Sequence, residues 1–401
     1  MKFFGFAKNE FTYRGYVLGF LFLFFVLGTL FSGFNLIVDP YDVYDVVELD
    51  AFKNKPQVNG FTRYHKTQKL LSNTYACVFL GSSRVEGAFD EIQEPTFREL
   101  CPTYYNAGIN GVNILEVYHL LRISAKYAKA KVIFYGMDLL QFNAKGIQPD
   151  AFEMKVYRNP WVYRYLLLIS KNTFLDSLKT IHAKQISFYK DNGAWLILEN
   201  YKDKFLPNVR IHDLFLLNEK AFYDNFYSDF SFETKTLSSF AIYRDILTFL
   251  HENQLKAFIF INPFHVRLLE IEDLRIGYEQ SEFWKKELVK IHQELSEEFQ
   301  QEPIPLWDFS GYNEITTEEI THEKNTVKYY FIEGSHINHQ VGELIIKKML
   351  THNPKEPHPD FGYPLTIENI DSYLREQRKK QEYWRKHHQN TIQEIKAFVG
   401  K

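Results

Sequence analysis

The strongest pattern in the chain is a long run with no charge. From Gly15 to Val38 it reads GYVLGFLFLFFVLGTLFSGFNLIV. At about 1.5 Å per residue this predicts a helix of roughly 36 Å, longer than the ~30 Å hydrocarbon core of a bilayer. Lys2, Lys8 and Arg14 precede the run, and Asp39, Asp42, Asp45, Glu48 and Asp50 follow it. Positive charge is retained on the cytoplasmic side, so residues 1–14 are expected in the cytoplasm and the rest of the chain outside it. A cleaved signal peptide has an apolar core of about 7–15 residues and a small-residue cleavage site, and neither fits here. No other window is as long without charge, which predicts a single span.

Beyond the span, residues 39–75 read as an irregular lead-in, polar from Lys53 to Lys69. Short apolar runs follow at a regular rhythm: Val78–Leu80 ending in Gly-Ser-Ser-Arg, then Thr103–Gly108 (TYYNAG), then Lys131–Tyr135 ending at Gly136. Between the last two, Leu115, Tyr118, Leu121 and Ile123 recur at helical spacing, predicting a helix from about 113 to 129. Lys256–Ile261 and Ile304–Asp308 read as further strands, and Gly342–Leu350 as a closing helix. Strands alternating with helices predict an α/β fold, a parallel sheet flanked by helices, over residues 76–353. From about 145 to 235 the pattern loosens and becomes rich in aromatic residues. This predicts a helical insertion serving as a lid or partner surface, or as an extra packing layer. Residues 354–401 read as a polar helix with a partial stripe of Ile367, Ile370, Leu374 and Trp384. It either packs on the domain or sets its basic residues against anionic headgroups.

Composition adds two constraints. A net charge of −3 with both signs interspersed gives no reason to expect nucleic acid as a partner. Cys77 and Cys101 form no Cys-x-x-Cys pair, so a zinc knuckle is not expected. Each precedes a strand-like run. On neighbouring parallel strands their sulfurs would share an edge, as a disulfide or as two buried thiols.

Acyl chemistry needs an exposed hydroxyl, a base, and N–H donors facing the developing oxyanion. In an open parallel sheet such groups gather at the carboxyl ends of strands. Three segments qualify: Gly81-Ser82-Ser83-Arg84, Asn106-Ala-Gly-Ile-Asn110-Gly111, and Glu333-Gly-Ser-His336 before the last helix of the sheet domain. His265, after Ile261-Asn-Pro, reads as a surface histidine, and Asp138 as a residue that holds loops in place.

The order G-x-S, N-x-x-x-x-G and acid-x-x-His resembles the SGNH/GDSL hydrolase superfamily. Within it the likeness is to membrane-anchored bacterial members of the DltD and alginate-acetylation type. The resemblance covers roughly residues 75–145 and 255–350. It implies a three-layer, flavodoxin-like sheet and a serine esterase or O-acyltransferase working on a cell-surface glycopolymer in the periplasm. It further implies an integral-membrane (MBOAT-type) acyltransferase as partner. By position, Ser83 is the nucleophile, His336 the general base, and Glu333 the residue that orients it. Gly111, Asn110, Arg84 and Asn106 fall to the oxyanion and substrate. Two departures stand out. Glu333 replaces the usual Asp, and Met137 in Tyr135-Gly-Met-Asp138 replaces the Asn of the G-x-N-D block, which removes a donor. Asn110, Arg84 or Asn143 could replace it, or the chain could be an inactive scaffold. The chemistry calls for no metal or organic cofactor.

Overall fold

The computed structural model describes residues 7–195, 209–320, 330–351 and 358–400. Lys2, the side chain of Lys8, the part of the insertion over 196–208 and the start of the C-terminal segment over 354–357 lie outside the described residues. The chain divides into two compact units, Met1–Lys69 with Asn159–Phe188, and Leu70–Arg158 with Tyr189–Lys401.

The first unit contains the apolar helix, Ala7–Val38, whose stretch Tyr13–Val38 is long and apolar enough to cross a membrane. The expected irregular lead-in contains a helix, Thr62–Ser72. Hydrophobic periodicity misses it because polar residues are buried among its apolar ones. Lys66, Thr67 and Gln68 are fully buried, with Gln68 donating to the Pro160 carbonyl and Thr67 to that of Arg63. The part of the insertion from Asn159 to Phe188 belongs to this unit, with helices Pro160–Leu168 and Lys171–Thr180.

The second unit holds the sheet. Its strands are β1 (Cys77–Gly81), β2 (Tyr104–Asn106), β3 (Val132–Met137), β4 (Lys256–Ile261) and β5 (Leu306–Asp308). A separate two-stranded hairpin pairs β6 (Phe331–Glu333) with β7 (His336–Ile337), and β8 (Tyr363–Leu365) returns to the sheet. The sheet order is β2-β1-β3-β4-β5-β8, parallel except for β8. The C-terminal segment is therefore more than a polar helix. Its start closes the edge of β5, and two helices, Ile370–His387 and Gln389–Phe398, follow.

Alternate residues of each strand face opposite layers. Val78, Leu80, Ile133, Tyr135 and Ile259 join one core, against helices Ile114–Lys126, Ser239–Glu252 and Tyr278–Phe299. Cys77, Phe79, Phe134, Phe258 and Phe260 join the other, against helices Ser83–Ala88, Pro95–Leu100 and His339–Thr351. On that second face Phe79, Phe134 and Phe258 stand in register on adjacent strands. Their rings stack at centroid distances of 4.7 and 4.8 Å. The helix Ile114–Lys126 starts where Asn113 and Glu116 form a reciprocal capping box.

Cys77, the first residue of β1, is disulfide-bonded to Cys101, which caps the helix Pro95–Leu100. Of the two readings open for these cysteines, the structure takes the disulfide.

β3 runs through Gly136 rather than stopping before it. Gly136 is paired across the sheet with Gly81, and Val85 of the helix Ser83–Ala88 lies directly over both. A Cβ at Gly136 would meet Val85 Cγ2 at 2.4 Å and Asn262 Oδ1 at 2.8 Å. The paired glycines let the helix that begins at Ser83 settle against the strand ends. Gly136→Ala is expected to destabilise the protein by about 1–3 kcal/mol through overpacking, read as a lowered thermal midpoint; an unchanged midpoint would mean that the helix has room to shift.

Candidate active site

The chain passes from β1 to β2 on one side, then crosses to β3 on the other. This leaves a crevice at the carboxyl ends of β1 and β3, the switch point where open α/β sheets bind ligands. β1 ends at Gly81. Ser82 then caps the helix Ser83–Ala88, its Oγ accepting from the Arg84 N–H, which sets Ser83 at the first helical position facing the crevice. A cavity of about 430 Å³ opens there, lined by Ser83, Arg84, Asn110, Gly111, Ser335 and His336 among others.

His336 arrives from far along the chain. β6 and β7 are joined by the two residues Gly334 and Ser335, so Glu333 and His336 are direct cross-strand partners. The expected loop is thus a tight hairpin, which explains how residues three apart meet side by side. Glu333 Oε1 is hydrogen-bonded to His336 Nδ1, and His336 Nε2 lies 2.8 Å from Ser83 Oγ. With a carboxylate accepting at Nδ1, the neutral ring carries its proton there and offers the Nε2 lone pair to the hydroxyl. Burial alone would raise the Glu333 carboxyl. Electrostatic attraction to His336 and hydrogen bonds from His336, the Ser335 N–H and the Ser335 hydroxyl outweigh it and hold the group below the usual carboxylate range. The Ser335 hydroxyl also lies 3.0 Å from His336 Nδ1.

Arg84 does not project freely into the cavity. It is buried, ion-paired through Nη1 to Asp138 just beyond β3, and its Nε donates to the Ser335 carbonyl at 2.9 Å. The guanidinium lies over the Phe264 ring, 4.9 Å from its centroid. Its Nη2 has no hydrogen-bond partner among the described residues. Asp138 in turn accepts from the Ser82 hydroxyl and from Asn262 Nδ2, so it holds the loops together as expected.

The other candidates separate. Asn110 and Gly111 follow β2 and line the cavity, Gly111 with a φ of +64° that favours glycine. Asn106 does not line it. Its side chain is fully buried, its amide donating to the carbonyls of Val85, Glu86 and Phe89 and its oxygen accepting from Gly108 N–H. Asn143 lines the cavity, but its amide donates to the Asp229 carbonyl and its oxygen accepts from Lys145 and Ser231. Met137 is buried in the core. His265 is not on the surface. It is buried at the start of the helix Val266–Ile276 and bonded to the Glu318 carbonyl, and burial pushes it down to about 3.

Sequence reasoning missed Ser335, Asn262, Asn218, Phe222 and Trp195. Asn218 and Phe222 line the cavity from the insertion, and Trp195 packs edge-on to His336 with centroids 6.1 Å apart. Ser335 and Asn262 stood inside segments already singled out; the other three carry no motif. Asp39, Asp42 and Asp45 in the first unit bring carboxylate oxygens together. Lys69 already pairs with two of them, and the N–H groups of Val43, Tyr44 and Asp45 fill the third.

No family model and no curated protein matches the chain.

Removing Asp138 would leave Arg84 charged and buried. Asp138→Ala is expected to cost about 3–5 kcal/mol in a denaturant titration; a loss within error would mean that water or another acid reaches the guanidinium. Glu333 gives a pH signature. Its folded value lies below its unfolded value of about 4.5, so its stabilisation is complete above that pH and is lost as pH falls through the lower folded value. The stability gap between wild type and Glu333→Gln should therefore shrink as pH falls below about 4.5 and not above it. A gap that shrinks between pH 8 and 6 would contradict this assignment.

Proposed function

We propose that the chain is an extracytoplasmic serine esterase or O-acyltransferase of the SGNH type, acting on a cell-surface polysaccharide or glycopolymer. The observation that carries this reading is the hydrogen-bonded series Ser83–His336–Glu333 opening into a cavity at the sheet's switch point. The order 2-1-3-4-5 of the parallel strands supports the flavodoxin-like arrangement of that superfamily.

In this reading Ser83 Oγ attacks the ester carbonyl while His336 Nε2 takes its proton. The carbonyl oxygen becomes an oxyanion, and Glu333 stabilises the imidazolium. Collapse expels the alcohol, which takes the proton back from His336, and leaves an acyl-Ser83. Water or a sugar hydroxyl, deprotonated by His336, then takes the acyl group and frees the serine. The backbone N–H groups of Ser83 and Gly111 are assigned to the oxyanion. Arg84, which lines the cavity and whose buried Nη2 has no hydrogen-bond partner among the described residues, is assigned as the side-chain donor that stands in for the Asn replaced by Met137.

The apolar helix, the basic residues before it and the acidic residues after it support a single-pass anchor with the second unit outside the cytoplasm. The disulfide supports the same compartment, because buried disulfides persist where the environment is oxidising. Met137 favours a second reading, a weakly active or inactive scaffold that holds an MBOAT-type membrane acyltransferase, since one lost oxyanion donor can cost about 10²–10³ in rate.

Labelling by a fluorophosphonate probe separates the two readings. The enzyme reading expects covalent labelling of wild type, none of Ser83→Ala, and a drop of roughly 10³-fold or more in ester hydrolysis for Ser83→Ala and His336→Ala. Equal labelling of wild type and Ser83→Ala would sink the nucleophile assignment. An unlabelled wild type that still retains a multi-span partner from membranes would leave the scaffold.

A further inference from the structure

We infer that the helices Pro160–Leu168 and Lys171–Thr180 form a platform that lies in the lipid headgroup region around the exit of the anchor helix. The inference rests on the membrane-anchor part of the function proposed above and adds a second contact with the bilayer.

Three observations within the first unit carry it. The first is depth. Every residue from Tyr13 to Leu30 is exposed, whereas from Phe31 to Val38 every residue but Ile37 is partly or fully covered by protein. Counted from Gly15, the first residue after the charge of Arg14, the exposed run to Leu30 accounts for about 24 Å at 1.5 Å per residue, most of the ~30 Å of a hydrocarbon core. The covering begins where lipid tails would end. The platform helices supply it: Phe174 stacks on Phe31 at 4.7 Å and touches Phe34, and the buried Asn35 accepts from the Ser177 hydroxyl at 3.0 Å and donates to the Leu168 carbonyl at 2.8 Å. The platform is thus held at the level of the membrane surface by the helix itself.

The second observation is composition. The outer faces of the two helices present Trp161, Tyr165, Leu166, Ile169, Leu175 and Leu178, with Tyr165 64% and Ile169 62% exposed. An apolar face of this kind is costly in water, and Trp and Tyr are the residues enriched at the headgroup level.

The third observation is charge. Between Asn159 and Phe188 the single acid is Asp176, and it is buried, accepting from Tyr41 and Lys179. Lys171 and Lys184 are exposed. Within this segment the outward charge is positive and suits anionic headgroups, while the exposed Asp45, Glu48 and Asp50 of the same unit follow the anchor.

The test uses the full chain in vesicles of phosphatidylcholine and phosphatidylglycerol, with one fluorophore on a new cysteine, Cys77 and Cys101 being paired. With Ile169→Cys or Tyr165→Cys, nitroxide lipids labelled near the headgroup should quench more than lipids labelled in mid-chain, and aqueous iodide should lose access. Phe25→Cys should show the reverse preference, for the deep nitroxide. If the Phe25→Cys label is quenched while the platform labels stay open to iodide, the anchor stands and the platform inference falls. If those labels become protected only in native membranes, the face belongs to a protein partner and the inference again falls. If the Phe25→Cys label is not quenched, the anchor reading fails and the platform with it.

Discussion

The candidate site depends on the buried pair of Arg84 and Asp138. Two charges out of water are a poor source of stability, because desolvation offsets most of their attraction unless their remaining donors and acceptors are also satisfied. Here most are. Asp138 accepts from Ser82 and Asn262 as well as from Arg84, and Arg84 also donates to the Ser335 carbonyl. The pair therefore joins the ends of β1, β3 and β4 to the β6–β7 hairpin. Ser83 and His336 lie 253 residues apart in sequence, yet their side chains meet at 2.8 Å. What the pair specifies is relative position: each partner, left alone, would be an uncompensated buried charge, so displaced arrangements of the loops are penalised.

The same network bears on the missing oxyanion donor. In the proposed reaction a replacement for the Asn lost to Met137 has to be fixed before charge develops, since a donor that must first reorient returns little of its interaction energy. Arg84 Nη1 and Nε are both held, so Nη2 is held with them. Asp138 also balances its charge.

How much of this the sequence reveals depends on the interaction concerned. Strands that bury both faces announce themselves as short apolar runs, so β1, β3 and β4 are legible, and the Ser, the His and the acid are legible as strand-end residues. The limits of β3 are not, because Gly136 reads as a stop until Val85 is seen lying over it. The helix Thr62–Ser72 is hidden because four consecutive polar residues, His65 to Gln68, are buried with its apolar ones. β8 is hidden because it contains Pro364 and closes a sheet edge from far along the chain. Asn106 and Asn110 look equivalent in a motif. Only the fold sends one into the packing beneath the helix Ser83–Ala88 and the other to the cavity. Arg84 is the plainest case: a basic residue beside a serine suggests a substrate contact, and nothing local says that Asp138 already holds it.

The two units pose one chemical problem between them, within the proposed reading. An anchor that keeps Ser83 outside the cytoplasm also keeps it from acyl-CoA, so an O-acyltransferase there must receive its acyl group across the bilayer. Hydrolysis has no such requirement, because the ester is then already on the polymer. The choice between transfer and hydrolysis turns on whether water or a sugar hydroxyl meets acyl-Ser83. It turns equally on whether a membrane protein delivers the acyl group. A platform seated in the headgroups would give the first unit a second contact with the bilayer and restrict its rotation about the anchor helix.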